Sequence, residues 1–156
     1  MKAIGQVANG WQWSGIFEAE TGTPFSVLMP CATINAQGNN CRPNRIASGE
    51  LPSDQRSVAL WFNPAAFVTP SPAAYGNAGR NILRAPGLVN TDMALSRSFR
   101  WSNNDTRRVQ IRWEVFNALN HTNLGVPIHS TDSPALGSIT SAASARMIQL
   151  GARLEF

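Results

Sequence analysis

The last eleven residues, Arg146–Phe156, constrain this chain more than any other segment. One alternating set is Ile148, Leu150, Ala152, Leu154 and Phe156, and the other is Met147, Gln149, Gly151, Arg153 and Glu155. A period of two held over that length is the spacing of a β-strand with one apolar and one polar face. Soluble proteins rarely end in a well-patterned strand closed by a Phe. The question it sets is which solvent meets the apolar face.

Three further segments carry the same pattern. In Arg107–Asn117, Val109, Ile111, Trp113 and Val115 alternate with Arg108, Gln110, Arg112 and Glu114. In Asp92–Trp101, Met93, Leu95, Phe99 and Trp101 share a face that Arg97 interrupts. In Trp11–Glu20, Trp11, Trp13, Gly15, Phe17 and Ala19 oppose Gln12, Ser14, Glu18 and Glu20, with Ile16 as the exception. Strands of about ten residues exceed the usual ~5–6, and ~9–11 is the length a tilted strand needs to cross a bilayer.

The connections are unequal. Ser102–Thr106 is a short polar stretch suited to a hairpin turn. Thr21–Asn90 is a 70-residue excursion with eight of the ten Pro, and 118–145 is rich in Asn, Ser, Gly and Pro. Within the longer one, Val58, Trp61 and Phe62 suggest a short helix over Asp54–Phe62. Long connections are rare in compact soluble domains, whereas outer-membrane barrels pair short periplasmic turns with long outer loops. In an antiparallel sheet, Trp11, Trp13, Phe99, Trp101 and Phe156 would gather at one end, as in an interfacial aromatic girdle. Cross-strand packing in a soluble sheet also favours aromatic residues.

Composition agrees with an unusual surface. Only 14% of the 156 residues are charged, against ~25% in an ordinary soluble domain. The apolar residues, 43% of the chain, are dispersed, and the longest unbroken run is Val58–Phe62. A membrane-spanning helix, which needs ~20 apolar residues, is excluded. A secretory leader, with its apolar stretch of ~7–15 residues, is not expected. Five Trp and seven Phe argue against disorder. The formal charge is +4, nearly all of it Arg because Lys2 is the single Lys, and no run of five like charges occurs. Nucleic-acid binding is therefore not expected.

Chemistry-bearing residues are sparse. Cys31 and Cys41 lie ten apart in a Gly- and Asn-rich segment, which suits a disulfide in an oxidising compartment; two unpaired thiols in a cytosolic protein is the alternative. Two thiols without a nearby His do not make a zinc site. His121 and His129 lack acidic neighbours at ligand spacing, and no Gly-x-Ser-x-Gly occurs. Gly76–Asn81 lacks the Gly-Lys-Ser/Thr ending of a phosphate loop. Glu18, Glu20, Glu114 and Glu155 sit at alternating strand positions, not as an acid–base pair. No enzyme, metal or cofactor is expected.

Five segments carry a family resemblance: Gly22-Thr-Pro-Phe-Ser26, Trp61-Phe-Asn-Pro-Ala-Ala-Phe67, Gly76–Gly87, Arg112–Gly125 and the terminal strand. Together they resemble the carboxyl-terminal end of TonB-dependent outer-membrane receptors, closest to the Oar-like group with a carboxypeptidase-regulatory-like domain, found in soil acidobacteria. The similarity spans about Trp11 to Phe156. Gln149, Gly151, Leu154 and Phe156 resemble the β-signal read by the barrel-assembly machinery.

The expected fold is therefore all-β: an antiparallel meander of about four long strands, at about 11–20, 92–101, 107–117 and 146–156. It belongs to a transmembrane β-barrel with long irregular extracellular loops at 21–90 and 118–145. The resemblance implies part of a barrel of about 22 strands that takes up a ligand with energy relayed by TonB. It implies as partners the outer-membrane lipid, the assembly machinery, the rest of the barrel with its plug, TonB and an unidentified ligand. The family's plug, TonB box, signal peptide and remaining strands are not in this sequence. Transport by the chain alone is not expected, and a truncated gene product is the expected origin. On this reading Arg108, Gln110, Arg112, Glu114, Gln149, Arg153 and Glu155 face the lumen. The alternative is a soluble secreted β-sandwich binding module without catalytic activity.

Overall fold

The computed structural model describes residues 10–34, 37, 40–100 and 107–156. In chain order the strands are β1 (Trp11–Glu20), β2 (Pro24–Phe25), β3 (Asn44–Arg45), β4 (Phe67–Val68), β5 (Leu83–Arg84), β6 (Leu88–Arg100), β7 (Arg108–Phe116) and β8 (Met147–Glu155). The chain divides into two compact units.

The first unit is a four-stranded sheet of order β1-β6-β7-β8. β6 pairs antiparallel with β7 and β7 with β8, in registers that place Leu95 opposite Trp113 and Trp113 opposite Leu150. A Cβ on Gly10 would approach the Ser98 carbonyl and one on Gly15 the Asp92 carbonyl, so β1 also runs antiparallel to β6. The all-β meander expected from the alternation is the observed fold. β6 is longer than expected, starting at Leu88 and not Asp92. Backbone pairing extends it, since Val89, Asn90 and Thr91 continue the extended chain beyond the alternating stretch. The expected hairpin turn at Ser102–Thr106, and Trp101, lie outside the described residues.

The second unit consists of the two long connections, 20–88 and 123–143. They are irregular but packed: Phe25, Val27, Phe62, Phe67, Ala78, Leu83 and Ala85 form one buried cluster. Phe62 meets the Phe67 ring edge-on at 5.9 Å and Phe25 at 5.7 Å. Two-residue ladders β2–β5 and β3–β4 hold the segment, and the Leu28 amide donates to the His129 carbonyl at 2.8 Å. Cys31 and Cys41 are joined by a disulfide, with Cα atoms 5.1 Å apart.

The helix expected over Asp54–Phe62 is absent. Only a 3₁₀ turn forms, at Ser53–Gln55, and a second at Pro64–Ala66. Phe62 is drawn into the core at 1% exposure while Val58 and Leu60 face outward, so helical spacing never gains a common apolar partner. Trp61 instead turns its indole to donate to the Arg84 carbonyl at 2.8 Å.

Two glycines are required by close approach. A Cβ on Gly22 would lie 1.6 Å from the Ala85 carbonyl oxygen, and one on Gly76 would lie 2.0 Å from that of Arg42. Gly76–Asn81 is thereby a packing element of this unit. The Asn77 amide donates to Asn44 Oδ1 at 3.1 Å, and Asn77 Oδ1 accepts from the Arg45 amide at 2.7 Å.

Candidate functional site

The observed register sorts the sheet into two faces. On one, rows run Met93–Val115–Ile148, Leu95–Trp113–Leu150, Arg97–Ile111–Ala152 and Phe99–Val109–Leu154. On the other they run Ala94–Glu114–Gln149, Ser96–Arg112–Gly151, Ser98–Gln110–Arg153 and Arg100–Arg108–Glu155. The polar face collects Arg108, Gln110, Arg112, Glu114, Gln149, Arg153 and Glu155. Two ion pairs lie along it, Arg112 Nη2 to Glu114 Oε1 at 2.8 Å and Arg153 Nη2 to Glu155 Oε1 at 3.1 Å. Each joins residues two apart on one strand, which puts both side chains on the same face.

The apolar face is uncovered. Trp13 is 69% exposed, Ile111 50% and Leu150 75%. A shallow groove of about 330 Å³ runs along it between Trp13, Met93, Leu95, Trp113, Val115 and Ile148, with Arg146 at its far end. In water such a face would cost ~25 cal/mol for each Å² left wet, so it requires a nonaqueous neighbour.

Arg97, the interruption foreseen in the apolar face, keeps its place opposite Ile111. Its guanidinium lies 5.2 Å from the Trp11 ring centre and 4.4 Å from that of Phe99. Stacking on two aromatic faces stabilises the cation on this face. Ile16, the other exception, lines a hollow of the polar face with Ser14, Asp92, Arg112 and Phe116. Glu114 also lines this hollow, so apolar and charged side chains mix at this end of the face.

At that end β7 is stopped by a polar corner. Asn117, 6% exposed, adopts φ +50°. Its amide donates to Asp92 Oδ1 at 2.9 Å, and its side chain donates to the His121 and Ser144 carbonyls and accepts from the His121 amide. Asn120 Oδ1 accepts from the Arg146 amide at 3.2 Å, and Arg146 Nη1 donates to the Ala118 carbonyl at 3.4 Å. The corner therefore delivers the chain into β8 in register with β7. Asn117 ends the alternating segment and lies within the Arg112–Gly125 resemblance segment, but nothing in that pattern marks it as the corner.

The sequence-singled histidines have structural places. His121 belongs to the Asn117 corner, and the His129 ring packs on Phe25 at 5.7 Å with Nδ1 2.9 Å from the Pro127 carbonyl. Among the described residues, no three His, Cys, Asp or Glu gather as a metal site. Gln149, Gly151 and Leu154 lie on β8, Gln149 and Gly151 on the polar face and Leu154 on the apolar one, with Phe156 just beyond the strand. Space is open around a Cβ at Gly151. No helix among the described residues is long and apolar enough to cross a membrane.

An antiparallel sheet of long strands, one face apolar and open and the other charged, defines a piece of wall from a β-barrel set in lipid. The chain belongs to the outer membrane beta barrel domain family, whose model matches residues 2–149. It is accordingly an outer-membrane protein. No curated protein and no solved structure gives a match to the chain.

Proposed function

We propose that this chain forms the carboxyl-terminal wall of a TonB-dependent receptor that takes up a ligand across the outer membrane. The observation that carries the reading is the place of the resemblance motifs. Gly22–Ser26, Trp61–Phe67 and Gly76–Gly87 lie far apart in sequence, yet their Phe25, Phe62, Phe67, Ala78, Leu83 and Ala85 meet in one core. Arg112–Gly125 supplies both the central strand and the Asn117 corner. These residues act as a set, which supports reading them as the shared architecture of that receptor group.

On this reading the two connections of the second unit are outer loops, and the polar face lines the lumen. A membrane barrel needs ~8 strands or more, so strands beyond the four described here complete the wall. The outer edges of β1 and β8 pair with them, because unpaired backbone groups in lipid cost several kcal/mol each. The assembly machinery engages β8 through Gln149, Gly151, Leu154 and Phe156. The ligand reaches the lumen under a plug moved by TonB, and the wall itself performs no bond chemistry.

The test supplies the chain to cells whose receptor of this group lacks its own last four strands. Uptake of that receptor's ligand is expected to return in TonB-competent cells and not in cells without TonB. Recovery of the chain as a cooperatively folded protein in plain buffer would support the soluble β-sandwich reading instead.

A further inference from the structure

We infer that Arg146 and the groove it borders bind the phosphorylated glycolipid of the outer leaflet, a phosphate on the guanidinium and one acyl chain between Trp13, Trp113 and Ile148. The inference rests on the outer-membrane placement with the long connections outermost, and not on TonB-linked uptake. Arg146 stands one position before β8 and in phase with Ile148, Leu150, Ala152 and Leu154, so it continues their row at the margin of the apolar face. It lines the same groove as Trp13, Leu95, Trp113, Val115 and Ile148. The cation and the apolar channel are thus parts of one hollow.

The strand fixes the depth of that cation. Arg146 and Phe156 bracket the apolar set of β8. The rise between them is ~34 Å, which a tilt of ~40° reduces to ~25 Å, the height of a barrel's apolar band. Arg146 therefore marks one interface of the band. It follows the long connection 118–145, and long loops lie on the outer side of such barrels. The outer leaflet presents phosphorylated glycolipid at that depth. Inner-leaflet phospholipids carry their phosphates at the opposite interface, beyond Val109 and Leu154.

The corner beside β8 aims the guanidinium. Arg146 Nη1 donates to the Ala118 carbonyl at 3.4 Å, and the Arg146 amide donates to Asn120 Oδ1 at 3.2 Å. The first bond uses one of the five N–H donors of the side chain and holds it at the groove. The fork keeps donors enough for two parallel hydrogen bonds to phosphate oxygens. A cation at the edge of a lipid-facing surface is stabilised by such an anion. From there the ~330 Å³ hollow runs past Ile148 and Val115 to Leu95 and Trp113, toward the membrane centre. A phosphate held at Arg146 directs its acyl chain along this path. Free phosphate offers the charge without the chain, and a neutral alkane the chain without the charge.

The experiment extracts outer membranes from cells making the full chain into mild detergent and frees the protein of lipid. Lipid A bearing its phosphates, the same lipid after phosphatase treatment, and phosphatidylglycerol are offered at equal concentration, and bound lipid is counted by native mass spectrometry. Wild-type protein is expected to bind the phosphorylated glycolipid about tenfold more tightly than the dephosphorylated one, through charge-assisted hydrogen bonds. Inorganic phosphate is not expected to displace it. Arg146→Gln is expected to lose the preference and Arg146→Lys to keep part of it. Ile148→Trp, which fills the groove beside an intact Arg146, is expected to weaken both glycolipids alike. Equal binding of the two glycolipids by the wild type overturns the phosphate assignment, and that comparison needs no variant to assemble. An unchanged preference in Arg146→Gln, or displacement by inorganic phosphate, overturns the site as well. Undiminished binding by Ile148→Trp overturns the acyl-chain placement. Tighter binding of phosphatidylglycerol than of the glycolipid overturns the outer-leaflet assignment and leaves the outer-membrane reading intact.

Discussion

The Arg97 guanidinium lies 4.4 Å from the centre of the Phe99 ring, two residues along the same strand, on a face otherwise apolar. Same-face neighbours two apart on a strand are held together by the pleat, so the contact costs little ordering. Trp11 brings a second ring to 5.2 Å from the neighbouring strand. A cation–π pair of this kind contributes about 0.5–2 kcal/mol, more where water is excluded. In a double-mutant cycle of Arg97→Gln with Phe99→Leu, a coupling of about 1 kcal/mol is expected in urea unfolding of the membrane-assembled protein. Strict additivity would show that the stacking contributes nothing.

The two faces of the sheet predict opposite responses to one substitution. Leu150→Arg places a new charge in lipid and is expected to cost about 2–4 kcal/mol near the bilayer centre. Gln149→Arg, one position from Leu150 but on the charged face, is expected to change stability by less than about 0.5 kcal/mol. Heat-modifiable migration of the assembled barrel gives the comparison, and a reversed ranking would invert the assignment of faces.

Asn117 joins Asp92, His121 and Ser144 from a left-handed backbone position. Asn117→Ala removes the side-chain bonds to the His121 and Ser144 carbonyls and the His121 amide and strains the backbone, for an expected loss of about 1–3 kcal/mol. Asn117→Gly relieves only the backbone part and is expected to recover about 1 kcal/mol of that. The urea midpoints of the two variants separate these contributions.

Gly76→Ala sets a methyl group 2.0 Å from the Arg42 carbonyl oxygen, a distance no packing tolerates. The backbone must move, at an expected cost of about 1–3 kcal/mol confined to the second unit. Limited proteolysis is expected to cut within 20–88 faster in this variant while the sheet stays protected.

Reduction of the Cys31–Cys41 disulfide opens a loop of ten-residue separation, worth about 2–3 kcal/mol on the loop-entropy model. The expected outcome is faster proteolysis around 31–41 with unchanged strand signal in circular dichroism. Equal cleavage rates with and without reductant would show that the link is dispensable.

Alternation made the sheet legible in the sequence because its period depends only on neighbours along one chain. Val109 to Val115 and Ile148 to Leu154 declare their common face without reference to any partner, and the observed register follows that pattern. Arg97 shows the limit of the same logic. Leu95 and Phe99 on either side hold it in phase, but the approach of Trp11 from another strand is not written in the alternation. The Asn117 corner was hidden for a related reason, since its contact with the Ser144 carbonyl spans 27 residues.

Helical spacing at Val58, Trp61 and Phe62 suggested a helix, yet Phe62 packs on Phe25 and Phe67 and the segment stays irregular. Alternation along the chain thus determined the strands, their two faces and the class of protein. Only tertiary structure decided the loop core, the corner and the seat of Arg97, because each forms between residues distant in sequence whose chemistry is ordinary until they meet.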